Sequence, residues 1–429
     1  MNSRFANHRL LVISNNVFSM TRSNGKVILS YFDCLPKENV RQLYFSSELP
    51  SVKGYQYYQI SDKDVIKGKF IKRKRGRAIV FADENNFKSY KQNSSKVKTP
   101  LFRLLRECVW SCKSWLSPQL LKWLDDFDPT DIFFVGGDCL FAYKICKFVK
   151  ARFNTRLSLY LTDDYVLPRN KENLVARYRR HLIRRSLKAC INECDQFFTI
   201  SRQMKSTYCK LFGKDSYLVT NMSELLRDET IKVDGDRTII LYAGSLYYGR
   251  ADILRALAEV IHDYNKTSYK KAKLLIYTNV APSQDELKTI TVSDASEYCG
   301  RLSKEELIIE MNKSDILCIV ESFDEKQIEN TRLSLSTKVT EYMSVGKPIL
   351  AIGPHQISTM DYLSDIAVCS SSKETIKSVV CDLLESDDMQ KEFGQRAYNK
   401  YMANHLKENI QIPFINKVFG ENVLDGEKA

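Results

Sequence analysis

Residues 334–353 read SLSTKVTEYMSVGKPILAIG, and they contain the clearest local structural pattern in the second half of the chain. It opens with small hydroxyl residues typical of helix N-termini, among them Ser336 and Thr337. Apolar residues then recur at near-helical spacing until Gly346, and Pro348 introduces the short apolar run ILAI. The stretch therefore predicts a loop, a helix, a tight turn and a buried parallel strand.

Lys338 and Glu341 fall in the first two turns of this predicted helix, three residues apart and so on one face. A helix start carries unpaired N–H groups and a partial positive charge, and Lys338 adds a full charge, which favours a phosphate or diphosphate. A neighbouring carboxylate would accept hydrogen bonds from ribose hydroxyls. The pair thus indicates a nucleotide site, or alternatively a local surface pair worth a few tenths of a kcal/mol.

The segment STKVTEYMSVGKPILA resembles the donor-binding segment of GT-B glycosyltransferases, in particular glycosyltransferase family 4, whose pattern is roughly P/S-S-K-x-x-E-Y-M-A-x-G-K-P-I-x-A. The resemblance implies that Lys338 contacts the donor diphosphate and Glu341 the ribose, with Ser336 and Thr337 beside them. The family often has a second glutamate eight residues earlier, facing the transferred sugar. This chain has Leu333 there, so recognition of the sugar is not carried over.

Length and composition predict a globular, cytoplasmic protein. The 429 residues, 44% of them hydrophobic, suffice for two or three domains, and no apolar run is long enough to span a bilayer. The N-terminal LLVI is too short for a secretory signal. The 12 cysteines are scattered and predict reduced core thiols rather than a zinc site. We expect no metal or cofactor, with a UDP- or GDP-sugar as substrate.

Strand-like and helix-like segments alternate in both halves, which predicts parallel sheets covered by helices. With the resemblance, the predicted fold class is α/β, with two Rossmann-like doubly wound domains facing a cleft. We expect an acceptor domain at residues 1–222, a donor domain at residues 237–404, and a tail at residues 405–429 that crosses back to the first domain. The polar segment between the domains contains Asp234-Gly235-Asp236, interpreted as a turn rather than a metal-binding D-x-D triplet.

Two further donor-site candidates follow predicted strands of the second half. Gly244 and Ser245 come directly after the strand TIILYA, and Arg250 lies at the start of the next helix, where it could reach a phosphate. Arg301 follows Gly300, and the resemblance implies that this loop surrounds the nucleobase. A plain turn and a surface arginine are the alternatives.

Candidates in the first half are carboxylates after predicted strands. Asp163 and Asp164 are predicted to bind an acceptor hydroxyl or to supply a catalytic base, unless they only cap a helix. Asp138 is a weaker candidate of the same kind. Asn24 and Gly25 begin a predicted helix after a polar loop, where such enzymes place acceptor contacts; from sequence alone they indicate a turn.

The net charge of +13 favours an anionic partner. Two basic runs lie in the first half: KGKFIKRKRGR, from Lys67 to Arg77, and RYRRHLIRRSLK, from Arg177 to Lys188. They predict contact with an anionic membrane surface, at the inner face of the membrane, or simply solvated faces. No nucleic-acid recognition pattern is present, so nucleic acid is not an expected partner.

Together with the resemblance, these observations predict a metal-independent glycosyltransferase acting on a saccharide or lipid-linked saccharide, in polysaccharide or glycan synthesis. The resemblance implies that the anomeric configuration is retained. Lys338 would stabilise the negative charge of the leaving diphosphate, with Arg250 and the helix N-terminus. Two other functions stay open: a nucleotide-sugar epimerase of the same fold, and a non-enzymatic protein that binds polyanions or membranes through the basic runs.

Overall fold

The computed structural model describes residues 5, 7–20, 23–70, 76–79, 99–111, 113, 115–231 and 235–421, excepting the side chains of residues 23 and 67–70. The chain forms two compact units. The first comprises Met1–Val219 together with Gln411–Ala429, and the second comprises Thr220–Ile410. Each unit is built on its own sheet.

The sheet of the first unit has the order β4-β3-β2-β1-β5-β6-β7-β8. All neighbouring strands are parallel except β3 and β4, which are antiparallel. The strands are β1 (Leu10–Ser14), β2 (Val40–Tyr44), β3 (Gln56–Gln59), β4 (Arg77–Ile79), β5 (Asp131–Val135), β6 (Arg156–Leu161), β7 (Gln196–Thr199) and β8 (Tyr217–Leu218). Strands β2, β3 and β4 are added successively on one side of β1, and β5 then pairs with β1 on its other side. The strand order therefore reverses between β1 and β5.

Helices accompany these strands: α1 (Ser23–Phe32), α2 (Asp62–Phe70), α3 (Pro100–Ser111), α4 (Pro118–Asp125), α5 (Leu140–Phe153), α6 (Leu174–Glu193), α7 (Arg202–Phe212) and, from the chain end, α16 (Lys407–Phe419). Phe414 of α16 packs its ring 4.8 Å from that of Tyr31 and 5.4 Å from that of Phe198, centroid to centroid. Gln411 donates to the backbone oxygen of Ser30 at 2.8 Å. Aromatic burial and this hydrogen bond attach residues 411–419 to the first unit.

The second sheet has the order β11-β10-β9-β12-β13-β14, with every neighbouring pair parallel. Its strands are β9 (Arg237–Ala243), β10 (Lys271–Tyr277), β11 (Ser296–Gly300), β12 (Ile316–Val320), β13 (Ile349–Ile352) and β14 (Val368–Ser370). The helices are α8 (Arg250–Thr267), α9 (Gln284–Ile290), α10 (Lys304–Lys313), α11 (Glu325–Thr331), α12 (Thr337–Val345), α13 (Ser358–Leu363), α14 (Ile376–Glu385) and α15 (Asp387–Asn404). Buried apolar side chains from the strands and from α8 and α14 form one core.

The unit boundaries differ from the predicted domain boundaries at both ends of the second unit. The start of the polar segment predicted to link the domains, residues 221–237, belongs to the second unit. Ser223 N–H donates to the oxygen of His405 at 3.1 Å, and Lys407 N–H donates to the oxygen of Ser223 at 3.0 Å. Asn312 of α10 also holds this segment, accepting from Asp228 N–H at 2.9 Å. Residues 220–231 and 405–410 therefore belong to the second unit although they carry few apolar residues.

Several elements differ from the sequence-based expectations. Helix α1 already begins at Ser23, so Asn24 and Gly25 are helical rather than a turn. The short helices α2, α9, α11 and α13 were not predicted. Asp234 of the D-x-D triplet and most of the basic run at residues 67–77 lie outside the described residues or side chains, and only Gly76 and Arg77 of that run are fully described.

His405 makes the second unit sensitive to acid. Its buried imidazole lies 2.6 Å, at Nδ1, from the backbone oxygen of Asn221 and 2.6 Å, at Nε2, from the hydroxyl of Tyr362. Burial above all, and then the charge of Lys400, lower the pKa of His405 to about 4, although the bond to Asn221 opposes the shift. The neutral imidazole is therefore the form that fits the folded protein.

We predict that the free energy of unfolding falls by about 2 kcal/mol between pH 7 and pH 5 through this histidine, because the unfolded state takes up its proton near pH 6.5 and the folded state only near pH 4. Urea denaturation at both pH values measures the change. In His405→Asn this contribution disappears, with lower stability at pH 7. An equal pH dependence in that variant would contradict the assignment.

Candidate functional site

Parallel strands bring their carboxyl ends to one edge of the second sheet. The chain runs from β9 to β10 and β11 on one side and returns to β12 on the other, so the strand order reverses between β9 and β12. Doubly wound sheets bind their ligands at such a reversal, beyond the carboxyl ends of the strands. Gly244 follows β9, Glu321 follows β12 and Gly353 follows β13 at this edge.

Helix α12 begins at the same edge, because Gly346 ends it in the left-handed conformation and β13 follows directly in the parallel direction. Its N-cap residue, Ser336, makes no side-chain capping hydrogen bond. The backbone N–H groups of Thr337 and Lys338 likewise have no hydrogen-bond partner among the described residues. Unpaired amides at a helix start favour an anion.

Lys338 and Glu341 form an ion pair on this helix, with Lys338 Nζ 2.7 Å from Glu341 Oε2. Both side chains are largely covered, with 25% and 18% of their surface exposed. The structure thus brings the two predicted nucleotide-binding residues together. An ammonium group has three N–H donors, so one bond to Glu341 leaves two for a phosphate.

Arg250, at the start of α8, is bound to a carboxylate that the sequence analysis did not single out. Its Nη2 lies 3.0 Å from both carboxylate oxygens of Glu321, and its Nε donates to the oxygen of Val320 at 3.2 Å. Burial raises the pKa of Glu321, and the charge of Arg250 opposes that shift. A phosphate contact from Arg250 would have to use Nη1, which makes no hydrogen bond to any described residue.

A sequence signal for Glu321 does exist: it is a charged residue placed directly after the apolar run ILCIV of β12. A charge at the end of a buried strand needs a partner. The sequence could not show that the partner is Arg250, because that contact depends on β12 lying beside β9.

The other predicted donor residues have different surroundings. Packing within the second unit favours glycine at position 244, because a Cβ there would lie 2.7 Å from the hydroxyl oxygen of Tyr242. The hydroxyl of Ser245 accepts from Tyr247 N–H at 3.1 Å and so shapes the loop before α8. Arg301 is exposed directly after β11.

In the first unit, Asp163 and Asp164 follow β6, but their environments differ. Asp164 is buried, and its Oδ1 accepts from Val166 N–H and Leu167 N–H at 3.0 Å and from the hydroxyl of Tyr208 at 3.2 Å. These bonds give Asp164 a role in shaping the turn. Asp163 is half-buried and accepts from the hydroxyl of Tyr165 at 3.1 Å. Its catalytic role stays a prediction, as does that of Asp164.

The three predicted acceptor residues also have different environments: one is ion-paired, one is exposed and one is closely packed. Asp138 follows β5 and pairs with Arg103 and with Arg179, whose Nη2 lies 3.4 Å from Asp138 Oδ2. Asn24 is exposed on the first turn of α1. Gly25 is packed, because a Cβ would lie 2.3 Å from the oxygen of Val17. Only glycine therefore fits at position 25.

Within the described parts of the chain, no group of three or more His, Cys, Asp or Glu side chains has the arrangement of a metal site. The described helices also include none that combines the length and apolarity needed to cross a membrane.

Comparisons with known proteins identify the fold. No family model and no curated protein sequence matches the chain. Among solved structures, HepE from Anabaena in complex with UDP and glucose has a TM-score of 0.60 and 10% identity, covering 96% of this chain and 100% of HepE. The α,α-trehalose-phosphate synthase from Burkholderia xenovorans, in complex with glucose-6-phosphate, has a TM-score of 0.60 and 12% identity, covering 96% and 100%.

Sucrose-phosphate synthase from Thermosynechococcus elongatus is similar to the same extent, with a TM-score of 0.60, 8% identity and coverage of 96% and 98%. The chain therefore has the fold of GT-B glycosyltransferases, which confirms the predicted fold class of two Rossmann-like domains. At this level of identity the likeness establishes the fold alone.

The Arg250–Glu321 pair gives a stability prediction. We expect Glu321→Leu to cost about 3–5 kcal/mol of unfolding free energy, because it leaves the covered guanidinium without its counter-charge. The double variant Arg250→Met/Glu321→Leu removes both charges and should lose much less. Urea denaturation compares the variants.

Arg255→Ala is the matched control on the same helix, since its pair with Glu259 is exposed and worth about 0.5 kcal/mol. A double variant as unstable as Glu321→Leu would show that the guanidinium does not need its partner.

Proposed function

We propose that this protein is a glycosyltransferase that moves a sugar from a nucleotide-sugar donor to a saccharide or lipid-linked saccharide, with retention at the anomeric carbon. The donor binds the second unit at the carboxyl edge of its sheet. UDP-sugars are the first donors to test, because HepE, which shares the fold, was solved with UDP and glucose. The proposed setting is the synthesis of a polysaccharide or glycan in the cytoplasm.

The observation that carries this proposal is the geometry at the start of α12. Two unpaired backbone N–H groups and the ammonium of Lys338 offer donors to a diphosphate, and Glu341 holds the lysine at 2.7 Å. As the bond to the sugar breaks, charge accumulates on the leaving diphosphate, and preorganised donors stabilise it. This work needs no metal ion.

Glu341 is proposed to bind the ribose as well as to orient Lys338. A carboxylate has about four acceptor positions, so it can receive ribose hydroxyls besides the lysine. Arg301 is proposed to contact the base from the loop after β11, and Gly244 and Ser245 to border the sugar diphosphate. In the first unit, Asp163 is the proposed acceptor-binding carboxylate, because it is half-buried whereas Asp164 shapes the turn.

Removal of the lysine amine tests the diphosphate contact. We predict that Lys338→Ala raises the Kd for UDP about tenfold to a hundredfold, because a charge-assisted hydrogen bond is worth about 1.5–3 kcal/mol. Titration calorimetry measures the Kd. The control is Lys304→Ala, which removes an exposed lysine from the first position of α10 and should leave the Kd unchanged. Equal Kd values for Lys338→Ala and wild type would refute the contact.

Comparison of UDP with 2′-deoxy-UDP tests Glu341. We expect wild type to bind UDP about tenfold more tightly, because the deoxy compound leaves a carboxylate position without its hydroxyl. Glu341→Ala should bind the two compounds with similar Kd values. A preference for UDP that survives in this variant would assign the ribose to another residue.

The epimerase alternative is separated by its need for an acceptor. We predict that UDP is released from a UDP-sugar only when a saccharide acceptor is present, as followed by NMR of the donor. Isomerisation of the donor without any acceptor would instead establish an epimerase. Binding of polyanions with steep salt dependence and no affinity for nucleotides would establish the non-enzymatic alternative.

A further inference from the structure

Helix α3 buries Glu107 and Trp110 and turns three large apolar side chains outward. Arg106 Nε lies 2.7 Å from Asp62 Oδ1 of α2, and Glu107 accepts from the N–H groups of Leu140 and Phe141 at 3.0 and 3.1 Å. On the opposite side, Leu101, Phe102 and Leu105 are 57%, 52% and 57% exposed. An ordinary surface helix keeps most of its large apolar side chains on the face toward the core.

The helices packed against α3 extend this apolar surface. Asp62 joins α2 to α3, and Ile66, one turn further along α2, is exposed. Arg179 of α6 lies 3.8 Å from Glu107, and α6 exposes Leu174 and Tyr178 within about one and a half turns of that contact. We call these exposed side chains the outer patch: Ile66, Leu101, Phe102, Leu105, Leu174 and Tyr178.

Positive charge continues from the outer patch along α6. Arg177, Arg184, Arg185 and Lys188 are exposed and form no ion pair with any described residue. The sequence from residue 174 to residue 192 contains no Asp or Glu. Three carboxylates on or against α3 are bound to arginines: Asp62 to Arg106, and Glu107 and Asp138 to Arg179. From residue 174 to residue 192, α6 therefore exposes apolar and cationic side chains and carries no carboxylate.

We propose that the outer patch and the basic face of α6 dock onto an anionic lipid surface. Leucine and aromatic side chains that enter the boundary of the acyl chains, beside arginines at the level of the headgroups, are the composition of helices that lie on a membrane. Contact with a second copy through this face would place like charges against one another in a two-fold interface. Nucleic acid would use the arginines but leave the leucines exposed. This docking is independent of the nucleotide site.

Vesicle sedimentation with the full chain tests the proposal. We expect binding to phosphatidylcholine vesicles that contain phosphatidylglycerol and about tenfold weaker binding to phosphatidylcholine alone. Leu101→Gln/Leu105→Gln should weaken binding at least tenfold through lost apolar burial. Arg184→Gln/Arg185→Gln should weaken it about tenfold and reduce its salt dependence.

The matched controls lie in the second unit. Tyr269→Ser removes a fully exposed aromatic side chain, and Lys373→Gln/Lys377→Gln removes two exposed charges four residues apart at the start of α14. Both should bind vesicles like wild type, and thermal melting checks that every variant is folded. Wild-type binding by the folded Leu101→Gln/Leu105→Gln variant would overturn the proposal. A dimer in light scattering that this variant dissociates would overturn it in favour of self-association.

Discussion

The constraint on which the second unit depends is the common direction of its six strands. Because all of them are parallel, their carboxyl ends and the starts of the following helices meet at one edge. The Arg250–Glu321 pair ties the helix after β9 to the end of β12 across the reversal of strand order. This buried pair fixes the edge of the sheet on which Lys338 and the unpaired amides of α12 are presented.

The ion pair between Lys338 and Glu341 is compatible with the two proposed tasks of α12, which are to bind a diphosphate and a ribose. The carboxylate orients the ammonium group, and both charges remain partly exposed at the helix start. A group held in position before its ligand arrives loses less entropy on binding. The local surface pair that the sequence left as an alternative is thus present, and it is compatible with nucleotide binding because an ammonium group has three donors and a carboxylate about four acceptor positions.

The sequence predicted the features that depend on local order. Alternating segments predicted the two parallel sheets, and Gly346 with Pro348 predicted the end of α12 and the start of β13. It could not predict contacts set by strand order, such as that between Arg250 and Glu321. Periodicity showed that α6 has a basic face, but it could not show that α3 turns Leu101 and Leu105 outward, because that depends on which residues its neighbours bind.

The central claim is that a nucleoside diphosphate binds at the start of α12, and a crystal structure of the protein with UDP tests this directly. We expect the diphosphate within hydrogen-bond distance of Lys338 Nζ and of the first amides of α12, with the ribose hydroxyls at Glu341. A diphosphate bound elsewhere, with Lys338 and Glu341 contacting only each other, would contradict the account.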